Sequence, residues 1–142
     1  MPNTYSKIYI QLVFGVKHRA CVLSKSWRAD LFKYMAGIIQ KQNHLVIVIN
    51  GVEDHVHILL AMRPHQALSD LVRDVKSSSS RWINGKRFLD HPFYWQSGFG
   101  AFSYTSDAVN NVERYIHNQE EHHRHKNFRN EYEDLLKRYH IE

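Results

Sequence analysis

Cysteine is nearly absent from this 142-residue chain: Cys21 stands alone. That excludes a disulfide framework and a thiolate metal cluster, and it makes a reducing cytoplasm the expected setting. Long apolar runs are missing too. No stretch approaches membrane-spanning length, and the opening MPNTYSKIYI lacks the apolar core of a signal peptide. Negative charge is in deficit, with 19 Lys and Arg against 14 Asp and Glu and a net charge of +5. The pI of about 9.4 suits a polyanionic partner without proving one. Hydrophobic residues are plentiful at 43%, enough for the core of one domain spanning residues 1–142. Aromatics reach 13%, and aromatics beside Lys and Arg are what single-stranded nucleic acid asks for.

The pattern along the chain predicts alternating strands and helices. YSKIYIQLVFGV (5–16) is β-branched and aromatic and reads as a first strand. A helix follows, capped by Ser24 or Ser26, with Trp27, Leu31, Met35, Ile38 and Ile39 at helical spacing. HLVIVINGVEDHVHILLAM (44–62) reads as a central hairpin turning at Gly51–Asp54. The second helix carries Leu68, Leu71, Val72, Val75, Trp82 and Ile83 on one face, and its periodicity runs through SSSS (77–80). INGKRFLDHPF is expected to be a loop with Gly85 as the stop, and YWQSGFGAFSYT (94–105) a fourth strand. Ser106 or Asp107 would cap a third helix reaching His123, and FRNEYEDLLKRYH (128–140) would be a short polar helix. The fold class is therefore α+β: a ferredoxin-like (RRM-like) β-α-β-β-α-β antiparallel sheet, two helices on one face, with additional C-terminal helices. The opposite face is left open for something else.

That open face would carry GVEDHVHILL (51–60). Side chains alternate across a strand, so His55 and His57 point one way while Val56, Ile58, Leu60 and Met62 point the other. Two imidazoles side by side are either hydrogen-bonded to neighbours or two ligands of a divalent metal. A metal needs a third ligand from elsewhere. In SDAVNNVERYIHNQEEHH (106–123), Tyr115 and Gln119 are four apart and share a helix face at the edge of the stripe Val109, Val112, Ile116. Gln is a competent oxygen ligand, and Tyr is a nucleophile whose phenol needs help. HHRH (122–125) reads as a solvated basic helix end and stays outside the site.

These residues together resemble a known family. EDHVHILL resembles the HUH motif (His, bulky hydrophobic, His), and YIHNQ resembles the Tyr-x-x-x-Gln helix of the same superfamily. VFGVKHR and FYWQSGFGAFSYTSD are similar to segments of the small single-tyrosine transposases of IS-two-hundred/IS-six-hundred-and-five insertion sequences. The likeness runs in order from Tyr5 to about His125. It implies a DNA transposase that cuts and rejoins single-stranded DNA with hairpin ends, as a homodimer with active sites shared between protomers. By position, His55, His57 and Gln119 would hold Mg²⁺ or Mn²⁺, and Tyr115 would form a 5′-phosphotyrosine. One departure is Gln11 in the first strand, where the family often carries His. The DNA track would draw on Lys17, Arg19, Arg73, Lys76, Arg81, Lys86 and Arg87, with Trp82, Phe93 and Trp95 as stacking surfaces. The competing expectations are a domesticated HUH nuclease of repeated extragenic palindromes and a non-catalytic ferredoxin-like nucleic-acid-binding module. A cytoplasmic, nucleoid-associated location goes with the first reading.

Overall fold

The computed structural model describes residues 4–123, 127–139 and 141. Strands β1 (Tyr9–Gly15), β2 (Leu45–Gly51), β3 (His55–Ala61) and β4 (Gly100–Tyr104) form an antiparallel sheet ordered β2-β3-β1-β4. Helices α1 (Lys25–Lys41) and α2 (Leu68–Lys86) follow β1 and β3, giving the expected α+β order β-α-β-β-α-β. The Ser24 hydroxyl accepts from Ser26 N at 3.3 Å, so Ser24 is the cap of α1.

One sheet face builds the large core. Val56, Ile58, Leu60 and Met62 pack there with Trp27, Leu31, Met35 and Ile39 of α1 and Leu71, Val72, Val75 and Ile83 of α2. The serine run is helical because α2 is pressed against this core. Ser79 is buried and its Oγ accepts from Trp95 Nε1 at 2.9 Å. Phe93 and Trp95 are thereby core residues and offer no stacking surface, whereas Trp82 stacks on Tyr34.

Several boundaries differ from the expectation, each for a local reason. Gly85 lies inside α2, which runs to Lys86 and ends at Arg87 in the left-handed conformation (φ 56). β4 begins only at Gly100. Upstream, Lys76 Nζ donates to the carbonyls of Gln96 (2.6 Å) and Gly98 (2.8 Å), so these groups are satisfied without a sheet ladder. Neither Ser106 nor Asp107 makes a side-chain cap; a 3₁₀ turn (Ser106–Ala108) leads instead into α3 (Val109–His117). The expected single helix to His123 breaks at Asn118, and α4 (Gln119–His123) follows. Asn50 Nδ2 takes the carbonyls of Ile116 and His117, both at 3.0 Å, which caps α3 from the sheet. The last helix is α5 (Phe128–Arg138), capped by Asn127 Oδ1 accepting from Asn130 N at 2.9 Å.

The second sheet face is not open. α3 covers it near β2 and β3, where Val112 and Ile116 pack on Val48 and Leu59. α5 covers it near β1 and β4, where Leu135 packs on Val13 and Phe102 with Phe128, Tyr132 and Tyr139 around it. Between these apolar patches runs a buried polar seam of Gln11, His55, His57, Gln119 and Glu131. Among the described residues no helix is long and apolar enough to cross a membrane. The HHRH side chains lie outside the described residues.

Candidate active site

β3 and β1 set the floor of the seam. His57 pairs across the ladder with Val13, and His55 with Gly15, so both imidazoles rise from the middle of the sheet on the face that carries Gln11. Both are 0% exposed, and their rings lie 5.1 Å apart. Each is oriented by a neighbour at Nδ1. Asp54 Oδ1 accepts from His55 Nδ1 at 2.8 Å, and the Gln11 carboxamide meets His57 Nδ1 at 2.8 Å, itself held by the Tyr104 hydroxyl on its Oε1 at 2.8 Å. Both Nε2 atoms point into the seam. Fixing Nδ1 in this way aims the distal nitrogen of a ligating histidine.

α3 and α4 form one wall. Tyr115 is half-buried, edge-on to the His57 ring at 5.9 Å. Gln119, expected as third ligand, is fully buried and in the seam, its Nε2 3.4 Å from Tyr115 O. Among the described residues its Oε1 has no hydrogen-bond partner, which is costly for a buried amide oxygen unless something else fills its coordination. α4 is tied down beside it: Arg28 of α1, almost wholly buried, donates to Glu120 Oε1 at 2.7 Å.

α5 supplies a group that sequence reasoning missed. Glu131, 2% exposed, places Oε1 3.1 Å from His55 Nε2 and 2.9 Å from His57 Nε2. Its Oε2 accepts a hydrogen bond from the Tyr115 hydroxyl. The ligand atoms of His55, His57 and Glu131 lie within 4.8 Å of one another, a set that could hold a metal ion. Two imidazoles with amide and carboxylate oxygens suit a borderline or hard divalent cation, and the orphaned Gln119 Oε1 fits the same reading.

The electrostatics follow from burial and this carboxylate. Burial by itself would lower the pKa of His55, but the bonds to Asp54 and Glu131 outweigh it and the pKa is raised. Tyr115 is pushed well above an ordinary phenol by burial first and by Glu131 second. In this arrangement the phenol is a hydrogen-bond donor held in its protonated form.

Of the expected DNA contacts, Arg19 lies by the site. Arg19 lines an open cleft of about 420 Å³ with His18, Gln96, Phe99, Phe128 and Tyr132, and its guanidinium sits over the Phe128 ring at 5.6 Å. Lys17 lies over the exposed Tyr94 ring at 5.3 Å. Lys76 holds the rim of this cleft through the two carbonyls already named. The others are on α2 or at its end, the helix of the opposite sheet face. Arg73 pairs with Asp70 and Asp74, Arg81 reaches Ser78 Oγ, Lys86 lies over Trp82 and Arg87 caps the helix. The missed groups differ in how visible they were. Asp54 adjoins His55 in the quoted motif, whereas nothing local marks Glu131.

Comparison with known proteins gives consistent results. A family model described as "Transposase IS200 like" matches residues 4–119. The ISDra2 transposase TnpA of Deinococcus radiodurans is 30% identical over 118 residues, covering 76% of this chain and 81% of the relative. Among solved structures, a Deinococcus radiodurans protein described as a transposase superposes with a TM-score of 0.68 at 21% identity, covering 84% of this chain and 95% of that one. A REP-associated tyrosine transposase bound to a REP hairpin superposes with a TM-score of 0.59 at 12% identity, covering 83% and 70%. The last two establish likeness of fold.

Proposed function

Since the chain belongs to the IS200-like transposase family, we propose that it cleaves and rejoins single-stranded DNA with hairpin ends, with Tyr115 as nucleophile and His55, His57 and Gln119 as the ligands of Mg²⁺ or Mn²⁺. One observation carries the reading. A phenol, two imidazole Nε2 atoms and an amide oxygen with no partner among the described residues meet in one seam, drawn from a single strand, β3, and two separate helices, α3 and α4.

Chemically, the Tyr115 oxygen attacks phosphorus in line and gives its proton to water, while the bond from phosphorus to the 3′ oxygen breaks and that oxygen takes up a proton from water. The products are a 5′-phosphotyrosine and a free 3′-OH. The ester conserves the bond energy, so a second 3′-OH can reverse the step and join a new strand. His55, His57 and Gln119 would hold the divalent cation, which when bound would supply positive charge to polarise the phosphodiester and steady the leaving oxygen. Asp54 and Gln11 keep the two imidazoles aimed. Asn50 and Arg28 keep α3 and α4 seated so that Tyr115 and Gln119 stay in register with the histidines. The hairpin partner is supported by the likeness to the REP-bound protein and by the basic, aromatic-lined cleft at Arg19. The family resemblance also implies a homodimer. The same resemblance implies active sites shared between the protomers.

The test is cleavage of a labelled hairpin-bearing single strand with Mn²⁺, with EDTA, and in His57→Ala. Cleavage is expected with Mn²⁺ alone, falling by about a thousandfold or more in the other two, the scale on which losing charge stabilisation acts. Equal cleavage in EDTA would discard the ligand assignment.

A further inference from the structure

Glu131 comes from outside the segment that matches the family, since the match ends at residue 119 and α5 begins at Phe128. Yet its carboxylate touches every group the proposed reaction uses. Oε1 is 3.1 Å from His55 Nε2 and 2.9 Å from His57 Nε2, while Oε2 accepts from the Tyr115 hydroxyl and lies 3.4 Å from Gln119 Nε2. A scissile phosphodiester has to meet the same four side chains, one oxygen toward the imidazoles and the phosphorus within reach of the phenol. It is also an anion. Two anions cannot share a space this buried, because each would lose its hydration and repel the other.

The contact is built into the fold. Phe128 stacks on His55 with ring centroids 4.0 Å apart, and Leu135 is buried against Val13 and Phe102. The strand positions beneath the helix's rings are glycines. A Cβ at Gly15 would stand 2.9 Å from the Phe128 ring, and one at Gly100 3.0 Å from Tyr132, so a side chain at either position would have to push these rings aside. Phe128 and Tyr132 also line the Arg19 cleft. α5 is thus the partition between an exposed, basic cleft and the histidine pair.

We infer that Glu131 holds the place of the scissile phosphate in the DNA-free protein, and that α5 is an intrachain competitor that single-stranded DNA must displace to reach Tyr115. This rests on the reading of the site proposed above.

The experiment measures binding of a fluorescent hairpin-bearing single strand at saturating Mn²⁺ by the full chain carrying Tyr115→Phe, which prevents cleavage, with and without Glu131→Gln. Removing the competing charge should tighten binding by about tenfold or more, since an occluded site lowers apparent affinity by the fraction that is open. In cleavage by Glu131→Gln alone, KM should fall. Leu135→Ala, which loosens α5 without touching the carboxylate, should shift KM the same way. In the Tyr115→Phe chain, amide exchange of α5 should speed up when the strand is added. Unchanged or weaker binding, or α5 amides that stay protected on DNA, would each overturn the inference. Absence of cleavage in every chain would instead overturn the reading of the site, while the binding and exchange results still decide what α5 does.

Discussion

The two faces of β3 are equally buried and chemically opposite. On one, Val56, Ile58 and Leu60 join α1 and α2 in a continuous apolar core; on the other, His55 and His57 sit between two separate apolar patches laid down by α3 and α5. Burial on the first face removes apolar area from water and stabilises the fold with no need of partners. Burial on the second is unfavourable unless every polar atom is paired. Asp54, Gln11, Tyr104 and Glu131 meet most of that need, and Gln119 Oε1 is left unmet. One strand thereby serves two purposes, and substitutions on alternate residues should separate them.

The largest effect expected on stability comes from the apolar face. Ile58→Ala, at a position with 0% exposure, should cost ~2–5 kcal/mol in urea unfolding, as cavity formation in a packed core does. Cleavage per folded molecule should be retained. His57→Ala should do the reverse, remaining folded while losing cleavage. Should Ile58→Ala abolish cleavage under conditions where circular dichroism shows it folded, the two faces are not separable in this way.

A smaller effect sharpens the comparison within the polar face. Gln11→Ala leaves His57 in place but removes the group at its Nδ1. Mn²⁺ affinity by calorimetry should fall by about 10–100-fold, the usual cost of losing a partner that orients a ligand. Asp54→Asn should act likewise on His55. Wild-type affinity in both variants would show that the Nδ1 partners do not aim the imidazoles.

The alternation that makes β3 two-faced was readable in DHVHILL, because a period of two is a property of the strand itself. The same holds for Tyr115 and Gln119, four residues apart, although the helix between them breaks. That break follows from Asn50, 66 residues away in sequence from Ile116, and no local pattern announces it. Glu131 was hidden for the same reason. FRNEYEDLLKR reads as a polar surface helix, and only docking on Gly15 and Gly100 turns Glu131 inward, across a separation of 74 residues from His57. The open face expected from two helices was wrong in consequence, since α3 and α5 cover it. Lys76 shows the converse. A lysine on α2 suggested a phosphate contact, and the structure has it donating to the carbonyls of Gln96 and Gly98, which also explains why β4 is short.

The central claim is that the seam on the second face is a nucleophilic site and not merely a well-paired polar core. It is tested most directly by incubating the protein with a hairpin-bearing single strand and Mn²⁺, digesting it, and locating the covalent adduct by mass spectrometry. The account predicts a nucleotide attached through a 5′ phosphate to the peptide containing Tyr115, and no adduct in Tyr115→Phe. An adduct on another residue, or one that persists in Tyr115→Phe, would contradict it.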